Sequence, residues 1–511
     1  MTFPRRSGIL LHPTSLPGRF GIGDLGADSY HFADTLAEAG QRLWQVLPLN
    51  PTGYGDSPYR TVSAFAGNPL LISPETLAEG GLLEHSDLAA TPAFPERRVD
   101  YGQIIAYKMT LLRVSFDRFQ SHPPAGLRSD FEDFCRQHAS WLAGYSLFMA
   151  IKDAHHGAAW NTWEEGARRR QPPALETWHQ RLRREVQSYQ YQQYLFWKQW
   201  RQLQDYCHEL GIHIVGDMPI YVDLDSADVW QHQELFFLDP SGRPASVAGV
   251  PPDYFSKTGQ LWGNPLYRWE LMAQDGYAWW VERFRTSLAM VDILRLDHFR
   301  GFEKYWEVPA NEKTAVNGHW VSGPGIALFE ALTRALGDLP VIAEDLGYIT
   351  PEVHALRDQS GFPGMRVLQF AFGGDATNYH LPHSYPRHCV AYTGTHDNDT
   401  ALGWLTSVAE EGTGSPGEEA KRFALKYLGS DGERFNWDLI RLALASVADT
   451  AIVPWQDVLG LGSEARMNTP GKPKSNWEWR FTWDMLSEDT VEQLREMTWV
   501  YGRAGGTSAS P

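Results

Sequence analysis

Acidic side chains follow several short apolar runs, at the points where those runs end. The residues are Asp217 in GDMPIYV, Asp297 in RLDHFRG, Glu344 and Asp345 in AEDLG, and Asp397 and Asp399 in THDND. If these ends meet in one cleft, the carboxylates cannot all ionise freely, so at least one acquires a raised pKa and can donate a proton. Cleavage of a glycosidic bond needs one such acid and one carboxylate that attacks or stabilises the anomeric carbon. The pattern therefore favours glycoside chemistry.

Basic and imidazole side chains accompany these carboxylates. Arg295 precedes Asp297 by two residues. Both side chains therefore lie on one face of a strand, where the guanidinium can keep the carboxylate ionised and oriented. His396 stands next to Asp397, and a neutral imidazole can hydrogen-bond sugar hydroxyls. We expect His298 and Arg300 to support this group from behind.

A structural interpretation competes with the catalytic one. A single Asp or Glu at a strand end is more often a helix cap or a surface ion pair. The repetition at four ends is what favours an active site. Asp345 points to the opposite strand face from Glu344 and is predicted to tie down the neighbouring loop. Asp399 is predicted to cap a helix that begins near Thr400.

The usual metal and cofactor signatures are missing from the sequence. There is no H-E-x-x-H and no C-x-x-C pair, and LHPTSL after the first apolar run holds a single histidine. The DND at 397–399 lacks the Gly and Glu that a calcium loop requires. No glycine-rich phosphate loop follows a strand. We predict catalysis without a metal and without an organic cofactor.

Eight apolar runs of strand length carry these residues. They lie within 7–16, 41–51, 211–222, 291–299, 339–347, 365–372, 389–399 and 450–460. Continuous apolar runs are typical of buried parallel strands, and helix-like segments such as 26–42 and 191–211 separate them. We predict an α/β fold, a (β/α)8 TIM barrel, because the chemical residues cluster at the carboxyl ends of the runs. An open doubly wound sheet is the alternative.

The uneven spacing of the runs predicts large inserted subdomains. We expect one barrel over residues 1–511, a mainly helical insertion at about 70–190, and a loop-rich insertion at about 223–290 that forms part of a substrate groove. In the helix at 26–42, Asp28 or Ser29 is the expected N-cap and Gly40 the stop. Gly211 is expected to end the helix at 191–211.

Composition limits the class of partner. The net charge of −17 argues against nucleic acid and against an anionic membrane surface as partners. The 21 Trp, 21 Tyr and 24 Phe favour a sugar-binding groove, although a large core also buries aromatic rings. Three widely spaced cysteines predict no disulfide framework. With no segment long enough for a signal peptide or a membrane span, we expect a cytoplasmic protein.

The same segments carry a family resemblance. GDMPIYV, RLDHFRGF, AEDLG and TGTHDND, in this order, resemble the four signature segments of the α-amylase superfamily, and more closely those of the amylomaltases, the 4-α-glucanotransferases or disproportionating enzymes. Further segments resemble that family at 8–26, 48–59, 254–267 and 466–471. The resemblance spans nearly the whole chain. It implies transfer of α-1,4-glucan segments among maltooligosaccharides and starch-like glucans.

The resemblance also implies roles for individual residues. Asp297 matches the nucleophile that forms a covalent glycosyl intermediate, Glu344 the general acid/base and Asp397 the carboxylate that stabilises the transition state. The matching substrate-binding positions are Tyr59, Asp217, Trp262, Arg295 and His396.

Two other functions remain open at this stage. One is an α-glucan hydrolase on the same barrel, since the carboxylates alone do not decide between water and a glucan as acceptor. The aromatic loop around Trp262 favours transfer, because it can hold an acceptor sugar and exclude water. The other is a non-catalytic glucan-binding protein, which the presence of all three carboxylates disfavours.

Overall fold

The eight apolar runs all form strands, and these strands close a parallel barrel. In the computed structural model, which describes residues 3–252, 256–410, 415–472 and 474–505, the barrel order is β1-β12-β11-β10-β9-β6-β3-β2. The strands are β1 (Arg6–Leu10), β2 (Leu43–Leu47), β3 (His213–Pro219), β4 (Ser246–Val250), β5 (Gln260–Pro265), β6 (Ile293–Asp297), β7 (Lys304–Pro309), β8 (His319–Ser322), β9 (Val341–Ala343), β10 (Gly364–Val367), β11 (Cys389–Tyr392) and β12 (Thr450–Pro454). The predicted TIM barrel is confirmed, and the open sheet is excluded because β1 pairs with β2 as well as with β12.

The barrel strands pack closely because their residues are buried and because a glycine stands where two strands come very near each other. Every residue of β2 and β12 is buried. Gly8 on β1 leaves no room for a side chain, since a Cβ there would lie 2.3 Å from the Leu43 Cβ on β2. Such close packing fixes the strand positions and hence the side chains at the strand ends.

Helices surround the barrel and fill the long connections. They are α1 (Ala27–Glu38), α2 (Pro74–Glu79), α3 (Tyr101–Ser121), α4 (Leu127–Gln137), α5 (Ala139–Ala154), α6 (Glu165–Arg168), α7 (Pro172–Arg181), α8 (Arg183–Glu209), α9 (Ala227–Gln231), α10 (Trp269–Gln274), α11 (Ala278–Met290), α12 (Ile326–Leu336), α13 (Pro351–Ser360), α14 (Ala401–Glu410), α15 (Pro416–Leu428), α16 (Phe435–Ala445), α17 (Trp455–Val458) and α18 (Glu488–Val500). Between β10 and β11 the chain forms only 3-10 turns, at 368–370 and 382–384. None of the helices in the described ranges has both the length and the apolar composition that crossing a membrane requires.

The first predicted helix is confirmed, but its predicted N-cap is wrong. Helix α1 already begins at Ala27, and the capping residue Gly26 contributes no side-chain hydrogen bond. The Asp28 carboxylate instead accepts a hydrogen bond from the Trp483 indole N–H at 2.6 Å. Gly40 follows the end of the helix with a φ of 72°, the left-handed conformation that stops helices and favours glycine.

The two segments predicted as insertions differ in their elements. Residues 70–190 hold α2 to α7 and the start of α8. Residues 223–290 hold α9 to α11 together with β4 and β5. These two strands join β7 and β8 in an antiparallel sheet of order β5-β4-β7-β8. The sequence analysis missed this second sheet, because half of its strands follow β6, outside the segment taken as an insertion.

The amino ends of the barrel strands are sealed by the C-terminal segment of the chain. Arg503 is fully buried, and its guanidinium donates to five backbone carbonyls at 2.7 to 3.3 Å, those of Arg6, Leu444, Ser446, Ala448 and Asp449. Arg5 donates to three of the same carbonyls, those of Leu444, Ser446 and Ala448, and also to the Tyr501 carbonyl. We call this end of the barrel the amino-end rim.

Candidate active site

The barrel brings the predicted acidic residues to one end, which we call the carboxyl-end rim. Strands β3 and β6 pair in parallel with Asp217 opposite Arg295, and β6 pairs with β9 through Leu296 and Ala343. Asp297 and Glu344 are the next residues on those two strands. They therefore leave neighbouring strands, which lie about 4.8 Å apart, at the same level. Asp397 follows β11, two strands further around the barrel.

Arg295 links two of the carboxylates. Its Nη1 donates to Asp217 Oδ2 at 2.6 Å, and its Nη2 lies 3.0 Å from Asp297 Oδ1. Burial lowers the pKa of Arg295, but the two carboxylates outweigh burial and raise it well above its usual value. Burial also raises the pKa of Asp217, and the Arg295 charge opposes that rise. A permanently charged guanidinium thus orients Asp297, whose side chain remains 28% exposed to the cleft.

Glu344 is held by backbone N–H groups in a buried position. Its Oε2 accepts a hydrogen bond from the His298 N–H at 2.7 Å, and its Oε1 accepts one from the Leu346 N–H at 2.9 Å. Burial raises the pKa of Glu344 well above its usual value; Arg295 and the two N–H groups lower it, and the negative charge of Asp297 raises it further. A carboxyl group in this environment retains a proton that it can donate.

The turn after β6 supplies the backbone N–H that holds Glu344. His298 adopts a left-handed conformation with a φ of 52°, which is uncommon for a residue other than glycine. Burial lowers the pKa of the His298 imidazole to about 3, so the ring is neutral. Arg300 lies behind it, stacked 3.8 Å from the Trp320 ring centre and donating to the Tyr348 carbonyl at 2.8 Å. The His298 N–H thus supports Glu344, whereas support by Arg300 stays a prediction.

A second group of side chains lies around Asp397. His396 Nε2 is 3.3 Å from Asp397 Oδ1, and the His396 ring stacks on the Tyr59 ring with 5.0 Å between centres. Burial lowers the pKa of His396, which favours a neutral imidazole, although the Asp397 charge opposes this. The Tyr59 hydroxyl donates to Asp217 Oδ2 at 2.9 Å. Tyr59 therefore connects the Asp397 side of the cleft to the Arg295 ion pairs.

Both hydrogen bonds to the Asp217 carboxylate reach the same oxygen. Its Oδ2 accepts from Arg295 and from Tyr59, whereas its buried Oδ1 has no hydrogen-bond partner within the part of the chain that the structure describes. The Asp217 side chain is fully buried, so it holds Arg295 and Tyr59 from behind.

Trp262 reaches the cleft from the second sheet. It lies on β5, and its ring packs edge-on against the His298 ring with 4.7 Å between centres. Its indole N–H donates to Gln260 Oε1 at 3.0 Å, and its carbonyl accepts from Arg60 Nη2 at 2.8 Å. These contacts hold a flat aromatic ring close to the turn that positions Glu344.

Sequence analysis missed several residues that hold Asp397 in place. Asn468 Nδ2 donates to Asp397 Oδ1 at 2.6 Å, and Arg466 Nη2 donates to the Asp397 carbonyl at 2.6 Å. Trp477 packs against both His396 and Tyr59, with ring centres 5.5 and 5.7 Å apart. The segment RMNTPG at 466–471 was the only signal for the first two, and nothing in the sequence pointed to Trp477.

The two remaining acidic residues have structural contacts. Asp345 is completely buried, accepts from the Met365 N–H at 2.7 Å and pairs with Arg357. It thus fixes β10 and α13 to the end of β9. Asp399 accepts from the Thr400 N–H at 2.8 Å and from the Ser463 hydroxyl at 2.7 Å, at the start of α14. The carboxylates that pair with Arg295 are instead those of Asp217 and Asp297.

Asp297 and Glu344 are the carboxyl groups that end neighbouring strands at the carboxyl-end rim. Among the described residues, the His, Cys, Asp and Glu side chains that come close enough in threes to share a metal ion lie at the other end of the barrel. At the carboxyl-end rim, Asp297 pairs with Arg295 at 3.0 Å, and burial raises the pKa of Glu344 well above its usual value.

Comparison with known proteins gives one consistent result. A family model described as 4-alpha-glucanotransferase matches residues 11–486. The 4-alpha-glucanotransferase of Synechocystis sp. is 52% identical over 503 residues, covering 98% of both chains. That of Thermus thermophilus is 50% identical over 505 residues, covering 97% of this chain and 99% of the relative. A solved structure of Streptococcus agalactiae amylomaltase in complex with acarbose is 38% identical, covers 98% of this chain and 99% of its own, and superposes with a TM-score of 0.93.

Proposed function

The chain belongs to the 4-alpha-glucanotransferase family and is an enzyme of that activity, and from this premise we propose how its residues carry out the transfer. The observation that carries the proposal is the pairing of two unlike carboxyl groups on neighbouring strands. The Arg295 guanidinium pairs with Asp297, and burial raises the pKa of Glu344 well above its usual value. This difference assigns Asp297 as nucleophile and Glu344 as acid.

The first displacement breaks the donor glucan. An Asp297 carboxylate oxygen attacks the anomeric carbon while Glu344 donates its proton to the departing glycosidic oxygen. The leaving glucan departs with a free 4-hydroxyl, and the donor segment stays on Asp297 as an ester. The spacing of neighbouring strands, about 4.8 Å, supports this retaining arrangement, which needs about 5–5.5 Å between the carboxyl groups.

The second displacement forms the product. Glu344, now ionised, takes the proton of an acceptor 4-hydroxyl, and the acceptor oxygen attacks the anomeric carbon. The Asp297 ester breaks, and a new α-1,4 bond forms. Water at the acceptor position gives hydrolysis instead, so exclusion of water decides the outcome.

Residues around the carboxylates bind the reacting sugar in this proposal. Asp397 accepts hydrogen bonds from sugar hydroxyls and stabilises the positive charge of the transition state, and His396 lies beside it. Asp217 supports the reacting sugar through Tyr59 and Arg295, both of which donate to its Oδ2. Tyr59 offers its ring to the sugar, and Trp262 lines the acceptor side. The contact of Trp262 with His298 supports our proposal that the insertion at about 223–290 forms part of the groove.

The substrates follow from the same activity. We assign α-1,4-glucans of the starch type and maltooligosaccharides as donors, and maltooligosaccharides or glucose as acceptors. A cytoplasmic location and a mainly helical insertion at about 70–190 remain predictions from the sequence.

Incubation with pure maltotriose tests the proposed balance between transfer and hydrolysis. Transfer yields glucose together with a ladder of oligosaccharides longer than the substrate, resolved by anion-exchange chromatography. Glucose and maltose alone, without longer products, identify water as the acceptor and contradict the proposal.

A further inference from the structure

Three metal-ligating side chains meet at the amino-end rim, away from the active site. His208 lies in the last turn of α8, His213 opens β3, and Asp292 directly precedes β6. Strands β3 and β6 are paired, so Asp292 lies beside the start of β3: its N–H donates to the Ile214 carbonyl at 3.0 Å. Asp217 lies four residues after His213 on β3, which places it roughly 13 Å away at the rise of a strand.

The three side chains direct nitrogen and oxygen atoms at one another. His208 Nε2 is 2.9 Å from both carboxylate oxygens of Asp292, and His213 Nδ1 is 3.9 Å from Asp292 Oδ2. The two imidazole rings are 5.9 Å apart between centres. One ligand atom from each residue lies within 4.8 Å of those from the other two. Because an ion with bonds of about 2.0–2.1 Å spans such separations with small side-chain rotations, the three can share one ion.

A backbone hydrogen bond and solvent exposure suit these three side chains to metal binding. The Ile214 N–H donates to Asp292 Oδ2 at 2.7 Å and fixes the carboxylate, as neighbouring hydrogen bonds do in metal sites. The side chains of His208 and His213 are 39% and 49% exposed, which leaves an entry path and an open coordination position for water. Two imidazoles and one carboxylate suit zinc and its neighbours, whereas calcium and magnesium prefer oxygen ligands.

From this geometry we propose that His208, His213 and Asp292 form a binding site for a divalent transition-metal cation of the zinc type. The bound ion ties the end of α8 to the starts of β3 and β6, and so braces the amino-end rim. It takes no part in glucan transfer. Neutral imidazoles are the binding form, so binding releases any protons that the free histidines carry.

One nearby charge opposes the cation. Arg6, at the start of β1, interacts electrostatically with both His213 and Asp292. Its positive charge weakens attraction of a metal ion. We therefore expect reversible binding that a chelator removes.

The test is a count of Zn²⁺ bound per chain, by equilibrium dialysis of the intact enzyme after treatment with a chelator. His208→Gln, His213→Gln and Asp292→Asn each remove one ligand but keep hydrogen-bonding ability. We expect each variant to lower the affinity of one Zn²⁺ equivalent at least about tenfold. His179→Gln, an exposed histidine on α7, is the matched control and keeps the wild-type count.

Two further measurements separate the site from non-specific binding to other histidines. Zn²⁺ raises the melting temperature of the wild type and of His179→Gln by a few degrees, and this shift is lost in the three ligand variants; Mg²⁺ produces none. Transfer activity stays the same in all four variants, which shows that they are folded. An unchanged Zn²⁺ affinity in His213→Gln and Asp292→Asn overturns the proposal and leaves His208 and Asp292 as an ordinary ion pair.

Discussion

At the carboxyl-end rim Arg295 contacts two carboxylates, whereas at the amino-end rim the buried Arg503 donates to five backbone carbonyls. Among the described residues, the Asp217 carboxylate beside Arg295 has one oxygen without a hydrogen-bond partner. The Asp297 side chain remains partly exposed to the cleft.

The difference shows how one barrel separates stability from catalysis. Buried charges that are fully hydrogen-bonded within the chain fix its conformation. Buried charges that are incompletely satisfied keep shifted pKa values and interact with a ligand instead. The same residue type therefore stabilises the fold at one end and prepares a reaction at the other, according to its partners.

The largest expected effect comes from Asp297→Asn. The amide cannot attack the anomeric carbon, so we expect kcat for transfer to fall by about 10⁴-fold or more. Binding of a maltooligosaccharide, measured by calorimetry, remains detectable because the rest of the cleft is intact. Asp338→Asn, which changes an exposed aspartate before β9, serves as the control with normal turnover. Substantial turnover in Asp297→Asn removes Asp297 from the nucleophile role.

The next effect is that of Glu344→Gln. We expect kcat with natural glucans to fall by about 10²–10⁴-fold, because the variant cannot protonate a poor leaving group. An aryl glucoside donor whose phenol leaves without protonation loses much less in the first step, which burst kinetics measure. Equal losses with both donors indicate a damaged fold rather than a missing acid.

The raised pKa of Glu344 predicts different pH profiles for the wild type and for Glu344→Gln. Activity requires protonated Glu344, so kcat/KM of the wild type declines as pH rises through the pKa of this residue in the free enzyme. Since burial raises this pKa, the decline begins well above the usual range of a glutamate. With the aryl donor, Glu344→Gln lacks this alkaline decline; its persistence assigns the decline to another group.

Arg503→Met tests the opposite rim. It leaves buried carbonyls without donors, and we expect the free energy of unfolding to fall by about 3 kcal/mol, while kcat of the folded enzyme is unchanged. Chemical denaturation and initial-rate assays give the two quantities. Arg387→Met, at the same rim but with an 82% exposed side chain, is the comparison and has little effect on stability. A selective loss of kcat in Arg503→Met contradicts the separation of the two rims.

The smallest expected effect is that of Asn468→Ala. Loss of the hydrogen bond to Asp397 leaves that carboxylate less well oriented, and we expect kcat/KM to fall by about tenfold with stability nearly unchanged. Asn317→Ala, an exposed position before β8, provides the reference. A loss of stability without a loss of kcat/KM assigns Asn468 to the fold instead.

Much of the barrel and its three carboxylates was predictable because the signals are local. Each barrel strand is a continuous apolar run, and each catalytic candidate lies within or just after one of them. The separate β5-β4-β7-β8 sheet escaped prediction because β5, β7 and β8 are only partly buried. The short apolar strand β4 lies in a segment rich in Pro and Gly, which is typical of a loop. The N-cap of α1 was wrong because Asp28 contacts Trp483, more than 450 residues away in the sequence.

The sequence by itself determined where the barrel strands lie along the chain, the chemical type of each residue at a strand end and the family. Only the tertiary structure decided which residues act together. Tyr59 contacts Asp217 across 158 positions, Asn468 contacts Asp397 across 71, and His208 contacts Asp292 across 84. The physical reason is that burial and long-range contacts set the protonation and orientation of these groups, and neither is encoded in local spacing. In the mechanism that we propose, Glu344 serves as the acid because the barrel buries it beside Asp297, and Asp297 serves as the nucleophile because the same barrel places Arg295 against it.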